Sequence, residues 1–426
     1  MARQMKDSGI EWIGDIPAHW QVIPHKYVMH KEKSICENYN GEDIISLTMN
    51  GVIVRDLTAG GKMPTTFDGY QYVEPEDLLM CLFDIDVTPR CVGIVRNQGV
   101  TSPAYSRFKV HDGYHNAYYD YLLRFIDDEK VFIHLAKNLR SSLTETDFGA
   151  IKTVVPPLEE QKRIAEFLVQ QCAEIDSVVA RTKATIEEYK KLKLSIITTA
   201  VTQGIKTDSD MKDSNDEWIG TIPSSWETTR LKNIAISFTK GNGITKEDAV
   251  EDGDTPCVRY GEIYSKYNQA FTECVTRTNL SLISAPKYFT YGDILFTCTG
   301  ELVEEIGKSI VYLGDGECLA GGDIIILKHS QHPAFLNYAL NSHYAQAQKS
   351  CDKTKLKVVH ISASDIGNIL LALPPIAEQK EIADYLDKKC AEIDTLIEKK
   401  TALLAEMESY KKSVIYEYVT GKKEVL

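Results

Sequence analysis

The strongest constraint on how this chain folds is a segment that occurs twice. Residues 156–204 open PPLEEQKRIAEFLVQQCAEID, and residues 374–421 open PPIAEQKEIADYLDKKCAEID. The copies share PPxxEQKxIAxxLxxxCAEID without a gap, at an offset of 374 − 156 = 218 residues. A repeat of this length sets the architecture before any local signal is weighed.

Each copy predicts one long helix. Two prolines end the preceding extended segment, and Glu159 and Glu160 suit the positive end of a helix dipole. No glycine or proline follows Glu159 until Gly204, a C-cap candidate. Apolar or neutral residues recur at spacings of three and four: Ile164, Leu168, Gln171, Ile175, Val178, Thr182, Thr185, Tyr189, Leu192 and Ile196. That is a heptad-like stripe, interrupted at Gln171, Thr182 and Thr185. About forty helical residues make a rod on the order of 60 Å long. A one-sided rod of that length cannot bury its stripe alone, and the second copy is the available partner.

Chain order then dictates direction. The first helix feeds a globular segment that feeds the second helix, so burying both stripes requires an antiparallel pair. The expected helix-pair residues are Ile164, Leu168, Ile175, Val178, Tyr189 and Ile196, facing Ile382, Leu386, Ile393, Leu396, Leu403 and Met407. One globular head is expected at each end of the rod.

A second repeat precedes each head. MKDSGIEWIGDIPAHW starts at Met5 and MKDSNDEWIGTIPSSW at Met211, an offset of 211 − 5 = 206. It holds all four tryptophans, Trp12, Trp20, Trp218 and Trp226. Aromatics at such spacing predict a clasp that anchors an irregular segment to a domain surface. Within the heads, short apolar runs are broken by Gly, Pro, Asn and Asp, the pattern of a strand-rich mixed α/β domain. Short helices are expected near 118–126 and 131–138, and Asp77-Leu-Leu and Asp293-Ile-Leu mark corresponding strands. Elsewhere the heads diverge. The fold class is therefore α+β, two mixed α/β domains joined by two long antiparallel helices. The expected boundaries are 1–153, 154–204, 205–372 and 373–426.

Composition narrows the function. A formal net charge of −13 argues against a protein that coats nucleic acid through a uniform positive field, while leaving local basic patches open. The ten cysteines show no CxxC pair or zinc spacing, so no metal site is expected. Without an export signal or a membrane-length apolar run, a cytoplasmic protein with reduced thiols is expected. In GELVEEIGKS, residues 300–309, six residues separate the glycines where a phosphate loop has four. There is no NPPY-like methyltransferase motif, no glycine-rich cofactor fingerprint and no HExxH, hence no expected catalytic residue.

The chain resembles type I restriction–modification specificity subunits. The resemblance rests on PPxxEQKxIAxxLxxxCAEID, the EWIGxIPxxW openings, RYGEIY from Arg259, GDILFTCTG, IGKSIVY, and the helix ends TTAVTQG and YEYVTGK. It implies a non-catalytic subunit with two target-recognition domains. Each would read one half of a split asymmetric sequence in double-stranded DNA, and the helical regions would fix the spacer. Two modification subunits, carrying S-adenosylmethionine, would dock on the helices and heads. A restriction subunit, using ATP and magnesium, would join them. The first head departs from the pattern with DLLMCLFDIDVTPRCVGIV. The competing reading is a coiled-coil scaffold whose two heads bind proteins.

Long donors in head loops are the DNA-contact candidates. In the second head these are Lys240, Asn242, Arg259, Tyr260, Lys266, Lys353, Lys355 and Lys357. In the first they are Arg55, Lys62, Arg90, Arg107 and Lys109.

Overall fold

The computed structural model describes residues 3–58, 64–88, 90–136, 141–300, 302–351, 353 and 359–425. It contains the two long helices, α1 (Leu158–Gln203) and α2 (Ile376–Val419). The chain divides into two compact units, Met1–Lys183 with Thr401–Leu426, and Ala184–Lys400. Each unit holds one head, half of α1 and half of α2.

In the first unit, an antiparallel four-stranded sheet runs in the order Val92–Ile94, Leu78–Met80, Ser106–Val110, Met29–Glu32. A five-stranded sheet runs Ile35–Cys36, Tyr70–Val73, Gly99–Thr101, Ile44–Thr48, Gly51–Val54, with one parallel pair at Val100↔Ile44. Helix Asn116–Asp128 buries Tyr118, Tyr119, Leu122 and Ile126 in one core with Leu78, Met80 and Val92. The second expected helix ends at Leu135, and a third, Glu145–Ala150, carries a Thr144/Asp147 capping box.

The second unit repeats this plan. Ser309–Tyr312, Ile294–Thr297, Ile324–His329 and Ala235–Lys240 take the same order as the four strands above. Beside them, Thr276–Thr278, Thr255–Val258, Cys318–Ala320 and Tyr288–Phe289 form a sheet whose parallel pair, Val258↔Ala320, matches the one in the first head. The heads thus share a topology that their diverged sequences hide. The Asp-x-Leu element is its visible trace. Asp77 accepts the N–H of Glu74 at 2.7 Å and Asp293 that of Thr290 at 2.8 Å, so each closes the turn that enters a central strand. The residue before each aspartate is left-handed: Glu76 at φ 77° and Gly292 at φ 86°.

The repeated motifs are joints between head and helices. In the first unit, Trp20 Nε1 donates to Glu160 of α1 at 3.1 Å; in the second, Trp226 donates to Glu378 of α2 at 3.1 Å. The next residue, Gln161 or Gln379, is buried and works twice. Its Oε1 accepts the N–H of His115 or His332 at 2.9 Å, at the start of the head's main helix. Its Nε2 donates to the carbonyl of Pro156 or Pro374. The same tryptophans receive the C-terminus of the other long helix. Gly421, at φ 72°, lies so close that a Cβ would stand 2.5 Å from Pro17 and 2.9 Å from Trp20, while Gly204, at φ 77°, stacks against Trp226. One tryptophan per unit therefore pins the start of one helix beside the end of the other.

Pairing is antiparallel within each unit. In the first, Ile164, Leu168 and Cys172 share a core with Val414, Ile415 and Val419. In the second, Ile197, Ala200 and Val201 share a core with Ile382, Leu386 and Cys390. The heptad-like stripe faces inward except at Leu192: Ile164, Leu168, Ile175 and Thr182 are buried, and Gln171, Val178, Thr185, Tyr189 and Ile196 half-buried. The buried isoleucines of α1 are Ile164, Ile175, Ile186 and Ile197, eleven residues apart, and Leu192 is 48 % exposed. In α2 the same interval links buried Ile382, Ile393 and Ile415 through half-buried Leu404. Of the expected helix-pair set, Ile164, Leu168, Ile175, Ile382, Leu386 and Ile393 are buried. Val178, Tyr189, Ile196, Leu403 and Met407 are half-buried, and Leu396 is 41 % exposed. A seven-residue seam drifts by ~20° per heptad on a helix of 3.6 residues per turn, whereas an eleven-residue recurrence stays closer to one face.

Candidate nucleic-acid interface

In the second head, two glycine-rich turns meet at one edge of the sheets. A Cβ on Gly241 would lie 2.1 Å from the Gly321 carbonyl, one on Gly322 3.3 Å from Gly243, and one on Gly321 3.4 Å from Arg259. Only backbone packs that closely, so Lys240, Asn242 and Arg259 are drawn to a common rim. Lys240 is exposed, with Asp323 at 3.9 Å. Beside it lies a groove of about 430 Å³ lined by Lys240, Cys298, Asp323, His360 and Asp365, and Lys353 pairs with Asp365 at 3.1 Å. Arg259 places Nε and Nη2 3.1 and 2.9 Å from Glu262 Oε1, bracing the short helix Tyr260–Ser265. Tyr260 and Lys266 stand exposed at the two ends of that helix.

Asn242 is committed to the fold: its amide donates to the carbonyls of Ser284 and Ala285, and its Oδ1 accepts from Gly243. Lys355 and Lys357 lie outside the described residues, as does Lys62 of the first head.

In the first head, Arg107 is corrected from a DNA candidate to a core residue. It is buried, with Nε 2.6 Å from Asp77 and Nη2 3.2 Å from Glu74. Burial pushes the Asp77 carboxyl above its ordinary range, and the Glu74 N–H and the Arg107 guanidinium work against that rise. Lys109 bridges Glu74 at 3.0 Å and Glu32 at 3.4 Å. Arg55 and Arg90 are half-buried. Arg90 lines a groove of about 400 Å³ with Met49, Phe83, Val87 and Tyr105, and a search for long donors passes over the first three of these. The available signal was Asn50-Gly51, a turn-forming pair at a strand end: the hairpin pairs Thr48 with Gly51 and leaves Met49 and Asn50 at its tip.

Among the described residues, no group of three His, Cys, Asp or Glu side chains is placed to hold a metal ion. No helix among them is long and apolar enough to cross a membrane.

Two like-folded heads, each jointed to the ends of a pair of long helices, define a duplicated recognition frame. Comparison with known proteins shows what this frame is similar to. The sequence model of the type I restriction modification DNA specificity domain matches residues 223–406. The putative type I restriction enzyme MjaX specificity subunit of Methanocaldococcus jannaschii is 28 % identical over 308 residues, 72 % of this chain and 67 % of that protein. The EcoKI specificity subunit of Escherichia coli is 24 % identical over 291 residues, 66 % of this chain and 60 % of that one. These matches span about two thirds or less of the relatives' own length. A chain of a solved type I restriction–modification assembly shares the fold, with a TM-score of 0.70 at 17 % identity over 96 % of this chain and 99 % of that one. The chain is thus similar in sequence to type I restriction–modification specificity subunits, and it shares the fold of a chain from such a system.

Proposed function

We propose that this chain is the DNA-specificity subunit of a type I restriction–modification complex. Each head reads one half of a bipartite asymmetric target, and the helix pair sets the spacer. The chain carries no chemistry of its own. Two methyltransferase subunits dock on it and supply the S-adenosylmethionine site, and a restriction subunit supplies ATP- and magnesium-dependent cleavage. The observation that carries this reading is the pair of heads: one topology on matching joints, with different side chains at the equivalent edge. Duplication of one topology with divergence of the heads' side chains suits a reader of two unlike half-sites. An overall acidic chain suits a reader whose grip on phosphate is completed by partner subunits.

The test is to express the chain with the methyltransferase encoded beside it and map adenine methylation genome-wide. Two fixed blocks with a constant gap are expected, and exchanging one head changes one block. A complex that assembles but leaves no motif would count against DNA reading and for the protein-binding scaffold.

A further inference from the structure

The shared topology makes the two reading edges comparable residue by residue. In the second head, strand Thr255–Val258 is followed by Arg259 and Tyr260, and residues 259–275 intervene before its partner Thr276–Thr278. In the first head the corresponding strand, Ile44–Thr48, turns back within Met49 and Asn50 to pair Thr48 with Gly51. After the central strand, the second head has Cys298 and Thr299, whereas the first has Cys81, Leu82 and Phe83. Where the second head presents a cation and a phenol, the first presents apolar side chains. Met49 is 64 %, Val87 74 % and Phe83 37 % exposed. Apolar side chains clustered on one exposed groove mark a surface suited to contact with a ligand.

We propose that the first head reads thymine through its C5-methyl group, with Met49, Val87 and Phe83 as the apolar seat and Arg90 at its rim. This rests on reading the heads as DNA-binding. The major groove offers one apolar feature, the thymine methyl, and apolar side chains are its natural contacts. Arg90 lines the same groove, so a cation stands beside the seat. Asp84 is also on the lining, which makes the groove a poor seat for phosphate and favours a base edge. The second head differs at this edge: Thr299 stands where the first has Phe83, and exposed Leu302 lines a groove with Tyr260 and Glu305.

The experiment uses the full chain assembled with its methyltransferase, on a duplex carrying its mapped motif. Each thymine is replaced in turn by uracil, which keeps base pairing and loses the methyl. Uracil in one half-site is expected to weaken binding roughly fourfold per methyl contacted. The combined Met49→Gln, Val87→Ser variant should lose that thymine–uracil difference. Uracil tolerated at every position of a duplex that is still bound selectively would overturn the proposal. So would a variant that keeps the difference, or one that stops co-purifying with the methyltransferase while uracil is tolerated, which would place a protein on the seat. Absence of selective binding by the unmodified complex would instead sink the DNA-reading assignment on which the proposal rests.

Discussion

Lys411 of α2 donates to both carboxylate oxygens of Asp176 on α1, at 2.6 and 2.7 Å. Its counterpart under the 218-residue offset is Lys193, which meets Asp394 at 2.7 Å from both oxygens. Each unit thus carries one copy of the same inter-helix ion pair. Both pairs are partly solvated, so they serve register more than stability. A double-mutant cycle with Lys411→Ala and Asp176→Ala should return a coupling of about 0.5 kcal/mol, shrinking at high salt. A coupling several times larger would mean the pair also stabilises the fold.

The joint at Trp20 should cost more to break. Burial raises the Glu160 carboxyl, but hydrogen bonds from His19, Arg3 and Trp20 outweigh it and hold the group below its ordinary value. A depressed carboxylate contributes stability above its unfolded pKa, here 4.5, and loses it as pH falls through the folded value. Glu160→Gln should therefore destabilise the chain by about 2 kcal/mol at neutral pH. The gap to the parent should close below pH 4.5 in denaturant titrations.

Two buried histidines add acid sensitivity. His25 stacks on Phe148 at 4.9 Å and donates Nδ1–H to the Ile151 carbonyl at 2.9 Å, and burial lowers its pKa from 6.5 to about 4. His329, in the other unit, is likewise lowered by burial to about 4. The unfolded chain takes up these protons first, so stability declines as pH drops from 6.5 towards 4. His25→Gln should flatten that part of the stability–pH curve for the first unit; an unchanged slope would show that His25 is not its source.

Arg107 and Arg259 should behave differently. Arg107→Ala leaves Asp77 buried without its guanidinium and should destabilise by about 3–5 kcal/mol, measured by thermal unfolding. Arg259→Ala removes the guanidinium from buried Glu262, which keeps the Thr276 hydroxyl and the residue-259 N–H. It should therefore cost about 1–2 kcal/mol and, below the melting transition, weaken binding of the assembled complex to the second head's half-site. Unchanged affinity would remove Arg259 from the contact set.

Glu76 is a left-handed residue where the other head has glycine. Glu76→Gly should stabilise the first unit by about 1 kcal/mol, because a Cβ is strained at that φ. Equilibrium unfolding would show it as a higher midpoint at constant slope.

Much of this molecule is legible from local pattern. An ungapped repeat, a glycine- and proline-free run and the tryptophan motifs dictate two long helices, two joints and two heads, because chain continuity and helical period act between near neighbours. Packing decided the rest. Which helical face is buried depends on how slowly the stripe drifts along the partner, so Ile186 is enclosed and Leu396 is exposed. That the heads share one strand order emerges only from pairings between distant segments, such as Ile44 with Val100 and Cys257 with Leu319. Arg107 and Arg259 are chemically alike in sequence. One is sealed in the core by Asp77, thirty residues away, and the other stands on a rim made by glycines from two turns. Burial is a property of neighbours in space, and for those residues the neighbours are remote in the chain.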